Sequence, residues 1–293
     1  MAISAKLVMD LRKKTGAGMM DCKKALIASE GDMDKAIDWL REKGISKAAK
    51  KADRIAAEGN IFAAVSEDKK TGVILEFNCE TDFVAKGEEF KNLGQEITNV
   101  VLNNDIADVE TLNNFEIDGV KIIDKITEKI AKIGENMSIR RFEKINSEGF
   151  VHTYIHMGGK IGVLINAGGD ANEENIVKAK DVAMHAAAMN PRYFDKSQIS
   201  EADLEKEREM TRKELVREGK PEKIIDKIII GKMNRFYEDN CLMQQKFVKD
   251  DKISVEKYAD SVKVLGFSRF MLGEGIEKKS VDFAAEVAEI TGA

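Results

Sequence analysis

The chain of 293 residues has only three cysteines, two prolines, three histidines and one tryptophan, and aromatic residues make up 6% of it. Cys22, Cys79 and Cys241 are odd in number and far apart, which suits a reducing compartment better than a disulfide framework. Without a Cys-x-x-Cys pair they supply no zinc site. No window approaches the roughly 20 consecutive apolar residues of a membrane span. The opening residues, 1–16, lack a secretory apolar stretch followed by a cleavage site. A cytoplasmic protein with no membrane partner is expected. Positive charge is not in excess either: 47 Lys and Arg against 52 Asp and Glu leave a net charge of −5, which argues against a protein that coats nucleic acid.

Signals for chemistry are equally scarce. No Gly-x-x-x-x-Gly-Lys-Ser/Thr loop is present, and Met157-Gly-Gly-Lys-Ile-Gly162 has the wrong spacing and precedes a strand, so Gly158 and Gly159 read as a hairpin turn. His152 and His156 share one face of a strand and would offer two metal ligands, but no third is evident. His185, among small residues on a helix, reads as a packed core histidine. No catalytic residue, cofactor or metal is therefore expected, and the protein is not expected to be an enzyme. The segment 1–54 carries 13 basic against 8 acidic side chains. Its basic run at 47–54 lacks interleaved aromatics to stack on bases, so direct nucleic-acid contact is not expected.

What the sequence does hold is 43% hydrophobic and 34% charged residues, the make-up of aliphatic cores under a charged, helix-rich surface. Residues 1–44 show helical spacing in three runs, Leu7, Val8 and Leu11, then Met20, Ala25 and Leu26, then Ala36, Ile37 and Leu40. Glycines separate them, with Gly44 placed as the final C-cap. Residues 45–58 read as a basic helical linker. A strand period follows in 61–65 and 73–77, then two helices and a strand near 138–145, giving β-β-α-α-β over 59–146. A second unit of similar order occupies 147–199 and 238–275. Gly72-Val-Ile-Leu-Glu-Phe-Asn78 echoes Gly162-Val-Leu-Ile-Asn166, and Ile139-Arg-Arg-Phe142 echoes Phe267-Ser-Arg-Phe270. Residues 200–237 read as an inserted helical hairpin whose stripe of Ile224, Ile225, Ile228, Ile229, Met233 and Phe236 is too long for so thin a module to bury alone. Residues 276–293 end in a helix over 280–290. The fold class is α+β: a three-helix domain, two related core subdomains with small antiparallel sheets, a helical hairpin and a C-terminal helix.

One local feature points to function. In Asn78-Cys-Glu-Thr-Asp-Phe-Val-Ala85, Thr81 is placed as an N-cap, which puts Asp82 and Phe83 in the first turn of a helix leaving a sheet edge. Phe83 there is either a staple packed on its own core or an outward aromatic anchor beside a charge.

The chain resembles bacterial translation elongation factor Ts over its full length. Thr15-Gly-Ala-Gly-Met-Met-Asp-Cys-Lys-Lys-Ala-Leu26 resembles that family's amino-terminal signature, and Asn78-Cys-Glu-Thr-Asp-Phe-Val-Ala-Lys86 its core signature. Ala131-Lys-Ile-Gly-Glu-Asn136, Arg140-Arg141, Ile161-Gly-Val-Leu164, Gly273-Glu-Gly-Ile-Glu277 and Asp282-Phe-Ala-Ala-Glu-Val287 follow in the family's order. The resemblance implies that the three-helix domain is ubiquitin-associated-like. It also implies that the protein exchanges guanine nucleotide on elongation factor Tu, in its GDP-bound and nucleotide-free states. It matches Thr81, Asp82, Phe83 and Val84 to an intruding wedge near the partner's magnesium and phosphate site. Arg12, Met19, Met20, Lys51, Ile133, Gly134, His156, Val248 and Ile290 match further partner contacts. The hairpin is matched to a dimerisation module, the route to a homodimer or a 2:2 complex. A protein-binding adaptor and an RNA-binding module remain as rival readings.

Overall fold

The computed structural model describes residues 3–277. Three helices open the chain, α1 (Ala5–Thr15), α2 (Met19–Ala28) and α3 (Met33–Ala49). Ser4 and Asp32 accept backbone N–H groups at the first turns of α1 and α3, and Gly16, at φ 66°, takes the left-handed conformation that ends α1. Val8, Leu11, Cys22, Ala25, Leu26 and Ala36 close a small core between the helices. Gly44 does not cap α3. The helix passes through it to Ala49, and Gly44 is buried because helix–helix contact needs a residue without a side chain: a Cβ there would lie 3.2 Å from that of Ala131. The expected helical linker is thus helical only in its first residues, and turns and extended backbone carry the chain from Lys50 to Ala57.

The core begins with the antiparallel hairpin β1 (Glu58–Val65) and β2 (Thr71–Cys79). Helices α4 (Asp82–Lys86), α5 (Glu88–Asn103) and α6 (Val109–Asn114), short strands β3 (Glu116–Ile117) and β4 (Val120–Lys121), and helix α7 (Ile122–Ile133) lead to β5 (Met137–Asn146). The sequence pattern finds α5, α7 and β5 but not α6, β3 or β4, which are too short to show a period. The second half repeats the plan with β6 (Phe150–His156), β7 (Ile161–Ala167) and α8 (Glu173–Met189). Then come the hairpin helices α9 (Glu201–Arg217) and α10 (Glu222–Asn240), the pair β8 (Lys246–Phe247) and β9 (Asp250–Ser254), α11 (Val255–Tyr258) and the closing strand β10 (Val264–Met271). The two three-stranded sheets have orders β1-β2-β5 and β6-β7-β10, all antiparallel. Both echoed segments therefore occupy equivalent strands, the first in each central strand and the second in the last strand beside it.

The sheets stack face to face between helices, giving four layers, helix, sheet, sheet, helix. Strand β2 is buried on both faces because both are covered. Val73, Leu75 and Phe77 meet Phe90, Ile97 and Ile126 under α5 and α7, whereas Ile74 joins Ile61, Val151, Leu164 and Phe270 between the sheets. On the far side Val163 and Ile165 pack on Val182, Ala183 and Ala186 of α8. The echoed glycines mark a close approach of the layers. A Cβ on Gly72 would fall 2.6 Å from Leu164, and one on Gly162 would fall 2.4 Å from Ile61, each in the opposite sheet.

The hairpin differs from expectation. Ile225, Ile229 and Met233 of α10 are buried against Leu204 and Leu215 of α9, with Tyr193 and Cys241 closing the base, so much of the stripe is covered within the chain. The helix expected over 280–290, with Ile290, lies outside the described residues.

A buried charge clasps the halves together. Glu76, at 0% exposure, lies on the inter-sheet face of β2 and accepts from Arg140 Nη1 at 2.9 Å, Arg141 Nε at 2.7 Å and the Gly273 backbone N–H at 2.8 Å. Successive strand residues normally point to opposite faces. Here Glu76 pairs with Arg141 and Phe77 with Ile139, which leaves Arg140 as the extra residue of a bulge, and both guanidiniums reach one carboxylate. Arg141 also lies 4.2 Å from the Phe270 ring centroid.

Candidate functional site

The sharp corner between β2 and α4 is held by bonds to two distant segments. Thr81 adopts extended backbone and its hydroxyl accepts the Val84 N–H at 3.4 Å, which starts α4. The same hydroxyl donates to Glu135 Oε1 at 2.7 Å, and the Thr81 N–H donates to Glu135 Oε2 at 3.0 Å. Both groups of Thr81 are thereby fixed by one carboxylate. The Cys79 thiol donates to the Thr81 carbonyl at 3.2 Å, and burial first, then Glu135, pushes that thiol up to about 12. It is an inert structural group.

The loop carrying Glu135 is tied in turn. Gly134 ends α7 in the left-handed conformation, its carbonyl accepts from Lys51 Nζ, and the Asn136 N–H donates to Glu80 Oε1 at 2.6 Å. Asn136 Nδ2 donates to the carbonyls of Ala52 at 3.2 Å and Arg54 at 2.8 Å. Lys51, Thr81, Asp82, Phe83, Val84, Ile133 and Gly134 thus form one bonded neighbourhood, of which Val84 and Ile133 pack half-buried against the core.

Phe83 projects from this corner at 82% exposure. It does not pack on its own core, so the staple arrangement is not the one observed. Lys86 bridges to Asp82 at 2.6 Å and sits 6.0 Å from the Phe83 ring centroid. Its hydrogen bond holds the Asp82 carboxyl below the usual carboxylate range. An aromatic ring flanked by an anion and a cation therefore stands outward on a braced turn.

The β6–β7 turn lies alongside. Gly159 approaches Asn60 so closely that a Cβ would fall 2.7 Å from its Oδ1, and Asn60 Nδ2 donates to the carbonyl of Ala85 in α4 at 2.6 Å. His156, at the start of this turn, has its Nδ1 2.9 Å from the Tyr154 hydroxyl. His152 is lowered by burial, and no group of three metal-ligating side chains occurs among the described residues. His185 is a core histidine: Nδ1 accepts the Val248 N–H at 3.1 Å, so Nε2 carries the proton toward Gln245 Oε1 at 2.9 Å, and burial lowers its pKa.

Other matched residues stand apart. Met19 and Met20 are exposed at the start of α2, with Arg12 exposed on α1, and Val248 is exposed beside His185. None of these four shares a hydrogen bond or ion pair with the corner. Sequence reasoning missed Glu135, Glu80 and Asn60, which brace the corner from positions 25 to 56 residues away from their partners. Glu135 and Glu80 are visible only as members of the blocks 131–136 and 78–86, and Asn60 lies in neither.

Fold and corner together define a class, an α+β scaffold that displays a fixed aromatic side chain at a bonded turn. A family profile described as Elongation factor TS matches residues 80–274, and one described as Elongation factor Ts, mitochondrial, N-terminal matches residues 1–48. The chain is 53% identical to an elongation factor Ts from Nitratiruptor sp., over 98% of this chain and 99% of that protein. It is 49% identical to that of Halothermothrix orenii, over 98% of each, and 46% identical to that of Clostridium perfringens, over 99% of each. The chain belongs to the elongation factor Ts family.

Proposed function

We propose that this chain is a cytoplasmic guanine-nucleotide exchange factor for translation elongation factor Tu, acting by binding alone and by no covalent chemistry. One observation carries the reading: in a chain of this family, Phe83 is held outward on a corner braced by Glu135. An aromatic displayed in that way is what a partner's pocket buries as an anchor. Thr81, Asp82, Phe83 and Val84 form the wedge, with Phe83 entering an apolar pocket beside the partner's magnesium and phosphate site. Arg12, Met19 and Met20 grip the partner from the N-terminal helices. Lys51, Ile133, Gly134, His156, Val248 and Ile290 supply the remaining contacts.

Linkage gives the mechanism. A factor that binds the empty partner more tightly than the GDP-bound one weakens GDP by the same factor. A preference of about 4 kcal/mol loosens the nucleotide about a thousandfold. Phe83 supplies part of this if its pocket opens only by moving backbone that holds magnesium and phosphate. The wedge speeds GDP release so that GTP rebinds, and it leaves the overall exchange equilibrium unchanged. The hairpin serves self-association, for which Met210, Val216 and Ile230 offer exposed apolar side chains on α9 and α10. Stopped-flow release of labelled GDP from elongation factor Tu tests the proposal: acceleration that saturates with this protein supports it, and an unchanged rate defeats it.

A further inference from the structure

A cavity of about 630 Å³ opens where the N-terminal helices lean on α7. Its size lies within the roughly 300–1,000 Å³ of small-ligand sites, which favour such junctions. Helices α3 and α7 touch where Gly44 meets Ala131, and Arg41 pairs with Asp124 at 3.3 Å, while the space beside them stays open. Half-buried Trp39 and Leu40 line it, and Trp39 is the only tryptophan of the chain.

Its charge is distinctive in a protein of net −5. Six cationic side chains face three acidic ones around the walls. Three of the six are engaged, Lys47 with Asp21, Arg41 with Asp124 and Lys132 with Glu89. Lys14, Lys24 and Lys43 have no ion pair among the described residues, and Glu128 is the one acid of the wall in the same position. Lys43 Nζ lies over the Trp39 ring, 5.5 Å from its centroid, so a flat ring that takes its place on Trp39 frees that ammonium to meet the ring's acidic substituent.

We propose that this cavity is a binding site for a small aromatic anion, a flat ring system bearing a carboxylate, sulfonate or phosphate. The ring packs on Trp39 and Leu40, and Lys14, Lys24 and Lys43 receive the charge. Because the walls come from both the N-terminal helices and α7, an occupant fixes those elements to each other. The site is separate from the Phe83 corner, and its existence does not depend on the exchange reading.

The test uses the full chain and the probe 8-anilinonaphthalene-1-sulfonate, with Trp39 as the internal reporter. One probe is expected to bind per chain, saturably, with Trp39 emission quenched by energy transfer. The uncharged analogue N-phenyl-1-naphthylamine should bind at least tenfold more weakly, a comparison that needs no variant. Lys14→Glu combined with Lys24→Glu should weaken the sulfonate at least tenfold, and Thr127→Phe, which fills the cavity, should abolish saturable binding. No saturable binding, equal affinity for the neutral analogue, or binding that leaves Trp39 emission unchanged overturns the proposal.

Discussion

Replacing Phe83 by alanine separates what this residue does for its own fold from what it does for a partner. Full burial of a phenylalanine side chain is worth about 1.5–3 kcal/mol, and at 82% exposure only about a fifth of that is realised in the free protein. The variant should therefore lose roughly 0.3–0.6 kcal/mol of stability, a shift in melting temperature of about 1–2 °C. On a partner the remaining surface becomes available. Its burial corresponds to roughly 1.2–2.4 kcal/mol, or about seven- to fiftyfold in stimulated GDP release. A well-fitted pocket raises that toward the thousandfold that 4 kcal/mol allows. Melting curves and stopped-flow GDP release on the same preparation give both quantities. A variant that melts far lower, yet exchanges normally per folded molecule, refutes the reasoning, because the side chain would then belong to the core.

The braces make separate predictions. Glu135→Ala frees both bonds to Thr81 and should slow stimulated GDP release several-fold while thermal stability falls by about 1–2 kcal/mol, the cost of leaving part-buried donors unpaired; full exchange activity would show that the corner needs no bracing. Gly162→Ala forces a methyl to 2.4 Å from Ile61 and should cost about 1–3 kcal/mol by overpacking, read as a lowered urea midpoint with no change in exchange per folded molecule. His185 is held neutral by burial, with a folded pKa below its unfolded value. The unfolded chain thus binds the extra proton first, so the stability this residue contributes is full above about pH 6.5 and is lost as pH falls through the folded pKa. The loss of melting temperature between pH 7 and pH 5 should be smaller in His185→Gln than in the parent, and equal slopes would count against it. Exchanging residues 200–237 for a short Gly/Ser link should change sedimentation more than exchange rate, and the reverse would place the hairpin on the partner.

Where the chain carries its own stop signals, the sequence and the structure agree. Helix α8 carries both of its own signals, Asn172 capping its start at Glu173 and Asn190 ending it after Met189 in the left-handed conformation. The hairpins β1–β2 and β6–β7 were visible for the same local reason. Gly44 misleads because a glycine after a helical run looks like an end, and only Ala131, far along the chain, reveals that it is a contact. The hairpin stripe misleads because apolar residues on α10 do not say which surface covers them. Thr81 announced a helix start, but the direction of Phe83 depends on Glu135, 54 residues away from Thr81. Bracing of that kind has no period and no local motif.

The clasp on Glu76 gives the chain an order of assembly. Arg140 is 64 residues downstream of Glu76, but the Gly273 N–H that completes its shell is 197 residues downstream. At synthesis rates of about 5–20 residues per second, that last bond waits roughly 10–40 s after Glu76 is made. Ile61 and Ile74 likewise keep an apolar sheet face uncovered until Val151 and Leu164 arrive in the second half. The first half of the chain contains every residue of its helix-facing core, yet it leaves the ribosome with a sticky sheet and a part-satisfied carboxylate. Until the turn Gly273-Glu274 is made the carboxylate shell stays open, so newly synthesised molecules should pass through a protease-sensitive interval that mature ones do not show.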